Sequence, residues 1–178
     1  MEKTPEERME GDPLEIERKF LIRYPDLVEM EELCSTKAAI CQTYLQSEPG
    51  MSRRVRMSEY PDKTEYWYNE KERITDRTRI ERERLVSEEE YKDLLEQKDP
   101  DTRTIRKVRY CLPSGEHVFE VDVFPEWDDR AFVEVELETE DSAFSIPDCL
   151  QVIKEVTDDR RYTNAAMARY GFVYDDIS

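Results

Sequence analysis

The sequence predicts an α+β fold in which about eight antiparallel strands close into a β-barrel, with helices packed outside it. Three observations support this architecture. Short segments alternate apolar with charged residues, turn residues separate these segments, and within most segments the charges have one sign. Because successive side chains of a strand point to opposite faces, one face of such a barrel would be apolar and the other charged.

The strands are predicted from this alternation, and the gaps between them from turn signals such as Glu48-Pro49-Gly50 and Pro113-Ser114-Gly115. Each segment is short and is bounded by Gly, Pro, Asp or a change of pattern. The predicted strands cover residues 14–23, 41–46, 52–58, 64–69, 77–86, 104–112, 117–124 and 132–139.

The helices are predicted from helix-forming residues and from end signals. Ser87 followed by Glu90 forms a capping box, Pro147 suits a first helical turn, and Gly171 suits a position just after a helix. The predicted helices cover residues 28–40, 88–98, 147–156 and 158–171.

Composition indicates one folded domain. Of the 178 residues 38% are hydrophobic and 40% are charged, but ten Tyr, six Phe and two Trp argue against general disorder. We expect a disordered acidic tail at residues 1–12 and a single domain at 13–178.

Charge and targeting signals narrow the function classes. A net charge of -17 disfavours nucleic acid and anionic membranes as partners, although a local cationic pocket can still bind a small anion. The N-terminus lacks the apolar stretch of a signal peptide, and no apolar run is long enough to span a membrane. The four Cys form no CxxC pair, so we expect a reduced cytoplasmic protein. We also expect it to be either a monomer or a homodimer.

The residue types limit the possible metal chemistry. His117 is the only histidine, which argues against His-based zinc sites and Ser-His-Asp triads. A metal in this protein would therefore be held by oxygen ligands, which favours Mg²⁺, Mn²⁺ or Ca²⁺.

Sorting the charges by strand face gives two sets. Acids share a face in four strands: Glu15 with Glu17, Glu81 with Glu83, Glu120 with Asp122, and Glu134 with Glu136 and Glu138. Bases share a face in two strands, Arg54 with Arg56 and Lys107 with Arg109, while Lys19 and Arg79 each add a base beside an acid pair.

Half-exposed strands with solvated polar faces are the ordinary interpretation of any one such segment. Like charges on one face oppose strand pairing, however, so this interpretation explains the whole set poorly. Carboxylates can be neutralised by divalent cations, and Arg and Lys by phosphate oxygens. The pattern therefore favours a charged interior that binds a metal-bound phosphate chain.

Seven elements, in order, resemble the CYTH domain, the family also called triphosphate tunnel metalloenzymes. "EIERK" resembles its ExExK signature, and Arg54-Val55-Arg56 its RxR strand. The later segments resemble the family's RxExE, KxR, Asp-bearing and paired-Glu strands and its closing segment: "RIERE", "KVR", "EVDVF", "VEVELE" and "EVTDDRRYTNAAMARYGF". The resemblance covers residues 14–172.

The resemblance implies an eight-stranded antiparallel tunnel that acts on triphosphates with Mg²⁺ or Mn²⁺, with two ions expected. The metal ligands it implies are Glu15, Glu17, Glu81, Glu83, Asp122, Glu134 and Glu136. The triphosphate-binding residues it implies are Lys19, Arg54, Arg56, Arg79, Lys107, Arg109, Arg160 and Arg161. The catalytic set is Glu15, Glu17, Lys19, Lys107 and Arg109.

One element departs from the family pattern. The family often has a T-x-K strand before RxExE, whereas this chain reads "TEYWYNEKER". Either Lys71 replaces that lysine or Tyr68 lies at its position.

The first expectation for function is hydrolysis of inorganic triphosphate to pyrophosphate and phosphate, because this substrate needs nothing beyond the charged interior. Thiamine or nucleoside triphosphate would need a ring-binding pocket, for which Tyr66, Trp67 and Trp127 are candidates, although buried core aromatics are more frequent. A class IV-type adenylyl cyclase and a non-catalytic polyphosphate-binding module are the remaining alternatives.

Overall fold

The computed structural model describes residues 16–73 and 79–178, and these form one nine-stranded antiparallel sheet with three α-helices. The order of elements along the chain is β1 (Ile16–Arg23), α1 (Leu27–Leu33), β2 (Thr36–Leu45), β3 (Met51–Glu59), β4 (Thr64–Arg73), β5 (Arg79–Val86), α2 (Glu88–Leu95), β6 (Ile105–Ser114), β7 (His117–Val123), β8 (Arg130–Leu137), β9 (Val152–Glu155), a 3₁₀ turn (Arg160–Tyr162) and α3 (Asn164–Tyr170).

The closed eight-stranded barrel predicted from the sequence is wrong for the described residues. The sheet order is β5-β4-β3-β2-β6-β7-β8-β1-β9, so β5 and β9 are its two edges, and these edges do not pair with each other within the described ranges. The ninth strand explains part of the difference, because β9 pairs with β1 through Phe20, Leu21 and Ile22 on the edge that closure would use. The α+β class and the antiparallel pairing are confirmed.

The predicted helix 28–40 is wrong in its second half. Helix α1 ends at Leu33, and strand β2 starts at Thr36. Lys37, Ala38 and Ala39 are good helix formers, but β2 pairs with β6 from Thr36 and with β3 from Ala39. Pairing with neighbouring strands outweighs intrinsic helix propensity, which tertiary contacts often override.

The predicted helix 147–156 is also wrong. The backbone N–H of Leu150 donates to the carbonyl of Pro147 at 3.0 Å, which makes a turn, and the chain then forms strand β9. Val152 and Ile153 are β-branched, and such side chains favour strands over helices. The last predicted helix is present only as the 3₁₀ turn followed by α3, which ends at Tyr170 and is followed by Gly171 with φ of 98°.

The outer face of the sheet carries two apolar clusters. The larger lies on β1, β6, β7 and β8 and packs against Met30 of α1. The smaller lies on β3 and β4 and packs against Tyr91, Leu94 and Leu95 of α2. The prediction that the apolar side of the strands lies under helices is therefore confirmed.

On the opposite, inner face, buried apolar residues form a cluster at one end, which we call the aromatic end cluster. Its sheet residues come from the ends of β1, β2, β6 and β8, and its other residues from the segments after β7 and β9. Its members are Leu21, Tyr44, Ile105, Phe124, Trp127, Phe132, Val156, Tyr162, Met167 and Ala168. The C-terminal segment thus packs over one end of the inner face.

No helix in the described part of the chain is long and apolar enough to cross a membrane. The tail predicted at residues 1–12 and the start of the strand predicted at 77–86 lie outside the described residues.

Tyr162→Phe is expected to raise the free energy of unfolding by about 1 kcal/mol. The Tyr162 hydroxyl is buried in the end cluster and has no hydrogen-bond partner among residues 16–73 and 79–178, and a buried unsatisfied polar group costs about 1–3 kcal/mol. Urea unfolding of both proteins measures the difference. Tyr174→Phe is the control, because the exposed Tyr174 hydroxyl donates to the carbonyl of Glu126 at 3.0 Å and its removal should not stabilise the protein. A loss of stability in Tyr162→Phe would contradict the assignment.

Candidate active site

Strand register brings the charged residues of the sequence pattern onto the inner face of the sheet. Glu134 of β8 lies between Lys19 of β1 and Glu120 of β7, and Asp122 of β7 is opposite Arg109 of β6. We call this set the charged face: Glu17, Lys19, Arg54, Arg56, Lys71, Glu81, Glu83, Lys107, Arg109, Glu120, Asp122, Glu134 and Glu136.

The centre of the charged face is a buried cluster of three charges. Asp122 has no exposed surface, and its carboxylate accepts a hydrogen bond from Lys107 Nζ at 2.9 Å. Arg109 donates to the same carboxylate through Nε at 2.8 Å and Nη2 at 3.0 Å. The forked Arg109 contact has the bidentate geometry that makes guanidinium–carboxylate pairs strong.

Burial and charge oppose each other in this cluster. Burial disfavours the ionised form of Asp122, but Lys107 and Arg109 outweigh it and hold the pKa of Asp122 well below its usual range. Burial lowers the pKa of Lys107, against the attraction of Asp122. Burial also opposes the charge on Arg109, yet Asp122 raises the pKa of Arg109 overall. Asp122 therefore acts as the counter-ion of both bases in this arrangement.

A second group of carboxylates lies beside the cluster on β1, β7 and β8. Glu17 shares a hydrogen bond with Glu134, and that bond, together with burial and the charges of Glu134, Glu120 and Glu136, raises the pKa of Glu17 to about 8. Burial opposes the charge on Glu134, but the hydrogen bond from Glu17 and the charge of Lys19 lower its pKa. At neutral pH Glu17 thus holds a proton and Glu134 is ionised.

Lys19 links this carboxylate group to the aromatic end cluster. Its Nζ lies 3.4 Å from Glu134 Oε1 and donates to the carbonyl of Tyr162 at 2.8 Å. It also lies 4.0 Å from the centroid of the Phe132 ring, a cation–π distance. The ammonium is thereby held at the boundary between the charged face and its apolar end.

The other side of the charged face contains two arginines from β3. Arg56 Nη2 lies 3.4 Å from Glu83 Oε1, a contact that spans β4. Burial lowers the pKa of Arg56, and its Nε is buried with no partner in the part of the chain that the structure describes. Arg54 donates to the amide oxygen of Gln42, at 2.7 Å from Nη1, when that amide is oriented to satisfy both groups.

Register places Lys71 and Tyr68, the two alternatives from the sequence, on opposite faces of β4. Lys71 is opposite Ser52 and Glu81 and shares the charged face with Arg54, since Asn69 is opposite Arg54. Tyr68 points to the outer face, where its hydroxyl accepts from Arg53 Nε at 2.8 Å and donates to Glu70 at 2.7 Å. Lys71 is therefore the basic residue that β4 contributes to the charged face.

The remaining predicted site residues fall in three places. Glu15 lies outside the described residues, and for Arg79 only the strand backbone is described, opposite Arg73. Glu81 is on the charged face and accepts from Asn69 Nδ2 at 2.8 Å. Arg160 and Arg161 are exposed in the 3₁₀ turn, and Arg161 pairs with Asp159 and Asp175, both at 2.9 Å.

Three charged-face neighbours were missing from the sequence-based site. Glu120 lies 2.7 Å from Arg109 Nη1, and burial raises its pKa. Its position two residues before Asp122 in the alternating pattern was enough to predict from the sequence that it lies on the charged face. Gln42 and Tyr44 flank Arg56 and Arg54 from β2, a strand whose inner residues are uncharged and so gave no signal.

The donor set on β1, β7 and β8 fits a divalent cation in part. A carboxylate pair that keeps a proton near neutral pH is a place where a cation can replace that proton. Within residues 16–73 and 79–178, however, no three acidic, Cys or His side chains converge to ligating distance. A cation bound by Glu17 and Glu134 would complete its shell with water and phosphate oxygens, as is usual for Mg²⁺.

Asp122→Asn is expected to lower the free energy of unfolding by about 3–5 kcal/mol, because it leaves Lys107 and Arg109 without their buried counter-charge. Urea unfolding measures the loss. Asp159→Asn removes an exposed partner of Arg161 and should cost about 1 kcal/mol or less.

The loss of stability caused by Asp122→Asn should depend on pH. Because folding lowers the pKa of Asp122, its contribution to stability is complete above the ordinary value of 3.8 and is lost as the pH falls toward the lowered one. The difference in stability between wild type and Asp122→Asn should therefore shrink as the pH falls below about 4. A constant difference would contradict the charge assignment.

Comparison with solved structures identifies relatives of this fold. The inorganic triphosphatase NE1496 superimposes with a TM-score of 0.57 at 30% sequence identity, over 89% of this chain and 97% of that chain. A second crystal structure of NE1496 gives a TM-score of 0.55 at 30% identity, over 87% and 97% of the two chains. PH1819 from Pyrococcus horikoshii OT3 gives 0.51 at 16% identity, over 71% and 81%, which shows a shared fold.

Comparisons with protein-family models and with curated protein sequences give no match. The relation to NE1496 nevertheless extends over nearly the full length of both chains, and the segments that resemble the family's motifs meet on one face of the sheet. This chain therefore belongs to the CYTH family, the triphosphate tunnel metalloenzymes.

Proposed function

We propose that this protein hydrolyses the terminal anhydride of a triphosphate with a divalent cation, Mg²⁺ or Mn²⁺, and that inorganic triphosphate is its simplest substrate. The observation that carries the proposal is the division of the charged face by strand. Most of its bases lie on β3, β4 and β6, most of its acids lie on β1, β7 and β8, and Glu81 and Glu83 lie at the opposite edge, on β5. The 30% identity to an inorganic triphosphatase over 89% of the chain supports it.

The basic side fits the binding of a phosphate chain. Arg54, Arg56 and Lys71 lie on neighbouring strands, and Arg56 Nε has no partner among the described residues. A phosphate oxygen is the natural acceptor for such a buried guanidinium N–H. Lys107 and Arg109 would then act mainly through their fixed field, because Asp122 already holds both of them in place.

Phosphoryl transfer depends on positioning and charge neutralisation more than on covalent chemistry. A divalent cation held by Glu17 and Glu134, with Glu120 and Glu136 nearby, would supply Lewis-acid neutralisation of phosphate charge and activation of a water molecule. Arg54 and Arg56 would orient the phosphate chain, and Lys19, fixed by Glu134 and the carbonyl of Tyr162, would stabilise charge that develops beside them.

Arg54→Ala is expected to lower kcat/KM for inorganic triphosphate by about 10²–10³-fold, the effect of removing one preorganised donor from a developing charge. Arg53→Ala is the matched control. Arg53 is the neighbouring residue on the outer face, where it binds Tyr68 and Gln97, and its loss should change kcat/KM by about twofold or less.

Phosphate release from inorganic triphosphate, with thermal unfolding of each variant to verify the fold, checks this pair. Equal losses in both variants would remove Arg54 from the site. A parallel assay with ATP as substrate and cyclic AMP as the measured product tests the cyclase alternative. Cyclic AMP would form by cyclisation of a triphosphate ester and not by its hydrolysis.

Removal of divalent cations with a chelator is expected to abolish phosphate release, and added Mg²⁺ or Mn²⁺ to restore it. Glu17→Gln should raise the cation concentration needed for half-maximal binding about tenfold or more, because it removes a ligand charge. Direct titration of Mn²⁺ binding measures this without turnover. Glu31→Gln, which alters a carboxylate on α1 paired with Lys37, is the control and should leave binding unchanged.

A further inference from the structure

The cations of the charged face differ in the charge of their partners. Four of them have a nitrogen 3.4 Å or less from a carboxylate oxygen: Lys19, Arg56, Lys107 and Arg109. Arg54 has no carboxylate partner among residues 16–73 and 79–178. Its partner is the side-chain amide of Gln42, which is a neutral group.

Gln42 holds the guanidinium of Arg54 at two points. Gln42 lies on the inner side of β2, opposite Arg56 of β3 and Ile105 of β6, and is only 3% exposed. In the orientation that satisfies both groups, its amide oxygen accepts from Arg54 Nη1 at 2.7 Å and from Nε at 3.2 Å. Because the guanidinium is planar and rigid, two N–H donors on one buried oxygen restrict both its position and its plane.

The residues directly opposite Arg54 do not replace this contact. They are Tyr44 of β2 and Asn69 of β4. Burial raises the pKa of the Tyr44 hydroxyl, so this group stays neutral beside Arg54. Asn69 donates its amide N–H to Glu81 at 2.8 Å. Arg54 is thus held by one amide and is bordered by neutral side chains on both neighbouring strands.

A neutral partner has a different effect on an arginine than a carboxylate has. A carboxylate also fixes a guanidinium, but it cancels most of the positive charge, as Asp122 does for Arg109. An amide oxygen carries only a partial negative charge. Arg54 therefore keeps its full charge while its orientation is fixed, and this combination favours a phosphate oxygen as the next partner.

We propose that Gln42 is a positioning residue of the active site, which orients Arg54 toward the phosphate chain and leaves the charge of Arg54 unneutralised. This inference rests on the proposed triphosphate hydrolysis. It assigns a role in that reaction to β2, a strand that contributes no charged residue to the charged face.

The first test removes the acceptor. Gln42→Met keeps the length of the side chain, and it should lower kcat/KM for inorganic triphosphate about tenfold or more, because a misplaced positioning group can cost about 100-fold. In the Arg54→Ala background the same substitution should change kcat/KM by about twofold or less, since no guanidinium is left to orient. Equal losses in the two backgrounds would overturn the proposal, because Gln42 would then act through another group.

A matched control exists on the outer face. Gln97 Oε1 accepts from Arg53 Nη1 at 2.9 Å, so this pair has the same chemistry away from the charged face. Gln97→Met should change kcat/KM by about twofold or less. A loss as large as that of Gln42→Met would overturn a role specific to the active site.

The second test keeps the acceptor and adds a charge. At about pH 8 the carboxylate introduced by Gln42→Glu is ionised, because it lies beside Arg54 and Arg56. It should weaken the binding of pyrophosphate with Mg²⁺ about tenfold or more, whereas Gln97→Glu should change it by about twofold or less. Isothermal titration measures both without turnover. Unchanged affinity in Gln42→Glu would overturn the requirement for a neutral partner.

A spectroscopic measurement separates this inference from the proposed function. The Arg54 Nε–H signal in a ¹H–¹⁵N spectrum is identified as the one missing in Arg54→Ala, and it should shift or broaden in Gln42→Met. If it does so and pyrophosphate binds as expected, the role of Gln42 stands even when the wild-type protein hydrolyses no triphosphate and the proposed function fails. Hydrolysis by the wild type, with an unchanged Arg54 signal in Gln42→Met, leaves the proposed function standing and overturns the role of Gln42.

Discussion

The buried pairing of Asp122 with Lys107 and Arg109 is the interaction on which the inner face of this protein depends. Two cations in the middle of a sheet would be very costly to bury alone, and a single carboxylate with forked geometry makes them tolerable. Because that carboxylate is fully buried, the cations are fixed on β6 with little freedom to move. The neighbouring strands can then carry further charges around a stable centre.

The two sides of the charged face are organised differently. On the acidic side, the raised pKa of Glu17 leaves a proton on this carboxyl group beside the ionised Glu134, which reduces the surplus negative charge. On the basic side, Arg54 pairs with the amide of Gln42, and Arg56 Nε is buried with no partner among the described residues. The acidic side is thus suited to a cation and the basic side to an anion, as the proposed binding of a metal-bound phosphate chain requires.

The charged face was the most predictable part of this structure. A period of two fixes which side chains share a face, so Glu17 with Lys19 or Lys107 with Arg109 could be assigned from the sequence alone. The period does not determine which charged residues of neighbouring strands pair with each other. The sequence grouped Asp122 with the metal ligands, whereas the structure pairs it with Lys107 and Arg109, because that choice depends on the register between β6 and β7. The strand at 152–155 and the first half of the strand at 36–45 were missed since their pairing depends on distant residues. The closed barrel was wrong because the edge strands β5 and β9 do not pair with each other within the described residues.

The aromatic end cluster limits how a long phosphate polymer could lie on the charged face. Phe124, Phe132 and Tyr162 are buried at one end of it, with Lys19 held against Phe132 and Tyr162 at the boundary. Apolar side chains give a phosphate oxygen neither a charge nor a hydrogen-bond donor. If the charged face binds a phosphate chain as proposed, a longer polymer would therefore extend away from this cluster, toward the opposite end of the face.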